Sequence, residues 1–209
     1  MDWTALYLKT SGLKVFILGT GEVATRRANK FLDHGAIVKL AGNSIDDELL
    51  MKGAELFSPD DADELVDWAD LVVVASGDKQ LSDYVSDISK DKLINRADFP
   101  DGGDIIVPTS FSIGDIEISI FTNGKSPLMA RQLRKRIQSI ITEEDILEIE
   151  LQDYSRSLLK KYVPNQKDRR DYLYKIFEDK KIQNLIESGE INKAKAVICE
   201  LVKRDFDDT

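Results

Sequence analysis

Gly19, Gly21 and Ala24 stand in the order G-x-G-x-x-A inside "FILGTGEVATRRANKFLDHGA", residues 16–36. An apolar run precedes them and a helix-like stretch follows. That spacing suits a pyrophosphate. Gly19 permits a tight turn, Gly21 lets the backbone approach the phosphates, and Ala24 is small enough for the helix to pack on the strand. The N–H groups of the first helical turn would then point at the anion. The next apolar run ends in "AGNSIDDE", residues 41–48. An acid at this strand end usually grips the adenosine ribose of NAD, and a nearby Arg accepts the 2′-phosphate of NADP. Here neither is present at the strand end itself. Asn43 and Ser44 offer neutral hydrogen-bonding groups, and the acids beyond them would repel a 2′-phosphate, so the expected cofactor is NAD.

Two further segments carry chemistry. "INRADFP" places Asn95 and Asp98 at the end of a strand-like run, the edge where open α/β sheets bind ligands. "TNGKSPLMARQLRKRI" joins a glycine turn, the capping residue Ser126 and the cations Arg131, Arg134, Lys135 and Arg136. A helix start with clustered positive charge makes an anion pocket in an otherwise acidic chain. His34, the only histidine, precedes Gly35 and reads as a residue of a helix's last turn facing the dipole. Cys199 falls in an apolar helical pattern and reads as core. Neither supports a metal centre, which needs three or four ligands.

The elements that must position these residues follow from the pattern. "LKVFIL", "AIVKLA", "DLVVVAS" and "KLINRAD" are continuous apolar runs, as in parallel strands covered on both faces, and helical segments follow the first three. This is a Rossmann-type doubly wound α/β unit, expected over residues 1–110. From Asp104 to Asn123 the period becomes two, with Ile116, Ile118 and Ile120 on one face; antiparallel strands turning near "IGD" are expected. Residues 111–145 are therefore assigned to a dimerisation region, and 146–209 to a C-terminal helical domain. Ser126–Pro127 and Thr142 look like helix starts, while Pro164 and "SGE" at 188–190 look like breaks.

The totals fit a globular protein of 209 residues with 42% hydrophobic and 32% charged residues. No apolar run approaches the roughly 20 residues of a membrane span. The acidic residue at position 2 argues against a leader, and a single cysteine fits a reducing cytoplasm. A net charge of −9 argues against general nucleic-acid binding, which requires a basic surface.

Taken together, "GTGEVATRRANKFLDHGA", "NRAD-P", "IIVPTS" and "TNGKSPLMARQLRKRI" resemble the precorrin-2 dehydrogenase/sirohydrochlorin ferrochelatase family, the N-terminal module of siroheme synthase. The likeness runs from about Leu13 to Leu201, with Thr20 at the middle of the family's triple glycine and Ser82 where many relatives have Asn. It implies NAD-dependent oxidation of precorrin-2 to sirohydrochlorin by a homodimer, with ferrous iron insertion in some members. By the same resemblance Asp98 is the acid/base residue and Asn95 lies nearby. Ser126 lies in the tetrapyrrole pocket, and Glu22, Val23, Asn43 and Ser44 contact the cofactor. Arg131 and Arg134 suit a substrate rich in carboxylates, since guanidinium forks pair with them in bidentate fashion. Iron insertion needs protons removed from pyrrole nitrogens and no resident metal. Dehydrogenase alone and dehydrogenase plus chelatase both remain open. A rival from another class is a non-catalytic NAD-sensing module, which would not need "NGKSPLMAR".

Overall fold

The computed structural model describes residues 3–206. Asp2, on which the leader argument rests, lies outside them. The chain divides into two compact units, Met1–Val107 and Pro108–Thr209.

In the first unit the elements run β1 (Lys14–Leu18), α1 (Glu22–Asp33), β2 (Ile37–Ala41), α2 (Asp47–Met51), β3 (Glu55–Phe57), α3 (Ala62–Trp68), β4 (Leu71–Val74), α4 (Lys79–Ile88) and β5 (Leu93–Arg96). The five strands form one sheet in the order β3-β2-β1-β4-β5, and every pairing is parallel. The continuous apolar runs explain why. Val15 to Leu18 and Leu71 to Val74 are buried on both faces of the sheet. Val15, Ile17, Val38, Leu40, Leu71 and Val73 pack with Ala24, Ala28 and Phe31 of α1. Phe16, Leu18, Val72 and Val74 pack on the other face with Leu65 and Val66 of α3 and Val85 of α4. Each such side chain contributes about 1.5–3 kcal/mol on leaving water.

One strand was not legible. β3 has three residues, largely exposed at the sheet edge, too few to show a period.

The second unit opens with β6 (Thr109–Ile113) and β7 (Ile116–Ile120), antiparallel, with Phe111 opposite Ile118. The turn between them needs a left-handed residue, and Gly114 supplies it at φ 53°. The period-two reading began too early. Residues 104–108 form no strand; Asp104 and Ile105 instead donate to the Ile94 carbonyl at 2.8 and 2.9 Å, and Ile105 and Val107 pack on the core beneath α1.

The helices α5 (Pro127–Gln138), α6 (Glu143–Tyr162), α7 (Gln166–Phe177), α8 (Lys180–Glu187) and α9 (Ile191–Phe206) complete this unit. Ser126 caps α5, and Thr142 with Asp145 forms a capping box on α6. Each cap satisfies N–H groups that the first turn leaves unpaired. Asn165 and Asp179 cap α7 and α8; the break at Asp179 has no Pro or Gly to announce it. Leu151, Leu159, Ile176, Ile182, Ile198 and Val202 form the centre of the helical core. Among the described residues, no helix is long and apolar enough to cross a membrane.

Candidate functional site

The turn between β1 and α1 is built by steric demand. Gly19 sits at φ 113°, and a Cβ there would stand 2.4 Å from the Ala75 carbonyl oxygen. Gly21 is the N-cap of α1 with extended backbone and no side-chain cap, and a Cβ placed on it would meet nothing within 4 Å. The first N–H groups of α1 therefore face open space, the arrangement an anion uses. Ala24 is fully buried beneath this turn, where a larger residue would push the helix off the sheet. A cleft of about 840 Å³ opens at the C-terminal ends of β1, β2 and β4, lined among others by Gly19, Gly21, Asn43, Asp60, Ser76 and Tyr84. Its size and its place at the strand ends suit a dinucleotide.

Other cofactor candidates surround this turn. Glu22 is exposed in the first turn of α1, 3.7 Å from Arg26, and Val23 is exposed beside it. Asn43 lines the cleft; Ser44, exposed, follows it in the chain. Of the acids after β2, Asp46 is used as a helix cap, accepting from the Leu49 N–H at 2.9 Å. Asp60, which follows β3, was not foreseen as a cleft residue because β3 itself was not.

At the end of β5 the side chains form a second arrangement. Asn95 is 2% exposed; its amide donates to the Ile105 carbonyl at 2.7 Å and its Oδ1 is buried without a partner. Asp98 accepts a fork from Arg96, with Nε to Oδ1 at 2.9 Å and Nη2 to Oδ2 at 2.7 Å. The same Nη2 reaches Asp83 Oδ1 on α4 at 3.1 Å. The Arg96 fork holds the Asp98 carboxyl below the usual carboxylate range, and the two carboxylates raise Arg96 further. Asp98 stays ionised at neutral pH. Arg27 of α1 donates to the Val107 carbonyl at 2.8 Å, and burial lowers it to about 10.

Arg96 and Arg27 were missed. The signal for Arg96 was present: an arginine at the end of a strand buried on both faces must be paired, and Asp98 stands two residues away on the same side.

Asp98 lies close to the cleft in the sheet. The Ala97 N–H donates to Val74 of β4 at 2.9 Å, and the residues after Val74, Ala75 and Ser76, line the cleft.

In the second unit, the Ser126 hydroxyl accepts from the Met129 N–H at 3.1 Å. Arg131 is exposed on α5, and the Arg134 guanidinium lies 5.5 Å from the centre of the Phe111 ring. His34 ends α1, its Nδ1 2.7 Å from the Lys30 carbonyl, and Gly35 follows at φ 79°. Cys199 is half-buried in α9. Among the described residues no three His, Cys, Asp or Glu side chains gather as a metal site.

Comparison with known proteins agrees with this geometry. The chain is 30% identical over 203 residues to a "Putative precorrin-2 dehydrogenase" of Methanocaldococcus jannaschii, covering 88% of this chain and 97% of the relative. It is 31% identical over 195 residues to the "Precorrin-2 dehydrogenase" of Methanosarcina barkeri, covering 88% and 86%. This chain belongs to the precorrin-2 dehydrogenase family. A "Siroheme synthase" of Zymomonas mobilis is 26% identical over 98% of this chain, which spans 45% of that longer protein. A family model described as "Putative NAD(P)-binding" matches residues 6–109, nearly the whole first unit, and supports a nicotinamide cofactor for this precorrin-2 dehydrogenase family member. The solved structure titled "SirC, precorrin-2 dehydrogenase" has the same fold, with a TM-score of 0.74 over 94% of this chain and 98% of the other at 22% identity.

Proposed function

We propose that the protein oxidises precorrin-2 to sirohydrochlorin with NAD, on the route to siroheme, and that Asp98 accepts the proton. The observation that supports this most directly is the placement of an ionised carboxylate after β5 and an open, uncapped helix N-terminus after β1 at the same end of the sheet, with β4 between them. NAD, when bound, takes the hydride. The remaining tasks fall to the chain. The backbone of Gly19 to Val23 holds the pyrophosphate, with Glu22 shaping the start of α1 and Ala24 seating the helix. Asn43 and Ser44 hydrogen-bond the ribose. Asp60 and the acids after β2 disfavour a 2′-phosphate, which makes NAD the better ligand than NADP.

Asp98 receives the proton that leaves as the hydride departs. Asn95 holds the segment after β5 through the Ile105 carbonyl and so supports the substrate's end of the site from within the protein. Ser126, Arg131 and Arg134 bind the tetrapyrrole and its carboxylates.

Ferrous iron is a substrate of a second step in this reading, with Asp98 also accepting pyrrole protons. The active form is a cytoplasmic homodimer, assembled through residues 111–145, with 146–209 as a separate helical domain; Ile116, Ile118 and Ile120 of β7 are only half-buried within one chain, leaving apolar surface for a second copy.

Anaerobic incubation with precorrin-2 and NAD, followed by absorbance, tests the reading. Conversion to sirohydrochlorin supports it, and binding of NAD without turnover would favour an NAD-sensing module instead. Adding ferrous iron afterwards reports the chelatase step, titration with NADP reports cofactor choice, and light scattering reports the dimer.

A further inference from the structure

Arg96 is an unusual residue to end a buried strand. Its side chain is 7% exposed, so its charge must be paired inside the protein. One carboxylate would suffice for neutrality, yet two are present. Asp98 takes both arms of the fork, at 2.9 and 2.7 Å, and Asp83 takes a longer bond at 3.1 Å. Asp83 is in turn paired with Lys79 on the same helix at 2.5 Å. The charges therefore alternate along a line: Lys79, Asp83, Arg96, Asp98.

The second carboxylate has a chemical reason. If Asp98 accepts a proton it becomes neutral, and a buried guanidinium held by Asp98 alone would be stranded without a counter-charge. Asp83 keeps Arg96 paired in both protonation states of Asp98. The fork also fixes the plane of the Asp98 carboxylate. Each carboxylate oxygen has two lone-pair sites; the fork takes one on each, and the Asp98 and Phe99 backbone N–H groups also bond the carboxylate and help to hold it ionised. The Asp98 side chain is 29% exposed, so it keeps an open side.

We propose that Arg96 is a positioning residue for the dehydrogenation, that its fork aims Asp98, and that Asp83 is the reserve partner that takes over the Arg96 charge when Asp98 is protonated. This rests on the reading of Asp98 as proton acceptor. In the step itself, one C–H bond of the substrate breaks as hydride leaves to NAD, and a second X–H bond of the substrate breaks as its proton passes to an Asp98 oxygen, its electron pair forming the new double bond, a two-electron oxidation with no further reactant.

The charged groups around Asp98 are Arg96 at the end of β5 and Asp83 and Lys79 on α4. Asp101 and Asp104 lie farther along the loop, and Asp78 is engaged as the cap of α4, accepting from the Leu81 N–H at 3.1 Å. β4 faces this end of β5 with Val73 and Val74 only.

Removing Arg96 should therefore raise the acidic limb of the pH profile while removing Asp83 should not, a split that a merely structural role would not produce. The test is turnover of precorrin-2 with NAD against pH, using the full chain and circular dichroism as the check on folding. Arg96→Gln should move the acidic limb of the profile up by about 1–3 pH units, because Asp98 loses its cation, and lower kcat about 10–100-fold with little change in the KM for NAD. Arg96→Lys should restore the position of the limb but not the full kcat, since an ammonium is a point charge rather than a fork. Asp83→Asn should keep the limb at or below its original pH while lowering kcat several-fold.

Wild-type turnover and pH profile in the Arg96 variants overturn the inference. If Arg96→Gln does not fold, Asp83→Asn decides, and wild-type kcat there overturns it. Asp98→Asn separates the two levels: full activity in that variant removes the reading of Asp98 itself. Loss of activity in it, beside unaffected Arg96 and Asp83 variants, removes only the role of Arg96.

Discussion

Asp98 in the first unit and Asp205 in the second are both held below the usual carboxylate range, and both are held there by cations. Their settings differ. Asp205 lies near the end of α9 and accepts from Lys175 Nζ at 3.0 Å, Arg204 Nε at 2.9 Å and Tyr172 Oη at 2.8 Å. Two of those partners are on α7, so Asp205 ties two helices together. Tyr172 is itself buried and packs edge-on against Phe206, with ring centres 5.1 Å apart. Asp205 lines neither the strand-end cleft nor the small pocket beside Leu173 and Tyr174, whereas the segment of Asp98 pairs with the strand whose continuation, Ala75 and Ser76, lines the cleft. Perturbed ionisation alone marks tight pairing; what marks a reaction site is the pairing together with open space and free backbone donors.

The largest expected effect that separates the two is on activity. Asp98→Asn keeps shape and much of the hydrogen bonding but removes the proton acceptor. Turnover of precorrin-2 should fall about 10²–10⁴-fold, the usual worth of a positioned general base, with NAD affinity little changed. Asp205→Asn should leave turnover near wild type and lower the melting temperature. Equal losses of activity in the two variants, measured on folded protein, would erase the distinction.

How much of this was legible follows from how local each cause is. The glycine turn could be read because its pattern falls within six residues: Gly19 in a left-handed turn at φ 113°, Gly21 open, Ala24 against the sheet. The parallel strands could be read because burial on both faces writes itself as an unbroken apolar run. The caps at Ser126 and Thr142 are likewise local. What escaped depends on partners distant in sequence. The second partner of Arg96, Asp83, comes from another element, the Arg27 bond needs Val107, 80 residues away, and the entry of Asp60 into the cleft needs a three-residue strand with no period. The early start assigned to the antiparallel pair came from reading alternation through "DIIVP", whose Ile105 and Val107 serve the first unit's core instead. The tetrapyrrole role given to Ser126 rests on family resemblance, and the anion pocket of Arg131 and Arg134 on charge clustered after a helix start; on this structure they are a helix cap and two exposed cations.

A smaller effect sharpens the structural side of the comparison. Tyr172→Phe removes the hydroxyl that bonds Asp205 while keeping the ring against Phe206. Burial and Asp205 together raise the Tyr172 phenol, so the hydroxyl remains protonated as a donor throughout the accessible range. Its loss should cost about 0.5–1.5 kcal/mol, read as a lower denaturation midpoint with an unchanged denaturant slope. Turnover should not move.

The smallest expected effect concerns acid. Asp205 has a folded-state value below its unfolded value of about 3.9, so it stabilises the fold above the unfolded value and loses that contribution as pH falls toward the folded one. The partners that hold it down, first Lys175 and then Arg204 and Tyr172, remain charged or protonated across that window, so the direction is set by Asp205 alone. The melting temperatures of wild type and Asp205→Asn should therefore differ most near neutral pH and begin to converge below about pH 4, where Asp205 of the unfolded chain takes up its proton while the folded one stays ionised. Added salt should narrow the gap at neutral pH, because the group lies at the protein surface, where ion pairs are screened. A gap that stays constant from neutral pH down to pH 3 would show that Asp205 contributes through its hydrogen bonds alone, with no contribution from its charge. Asp98, held by a buried cation, should lose less of its pairing to the same salt, and that contrast distinguishes a carboxylate fixed inside a site from one that ties two helices at the surface.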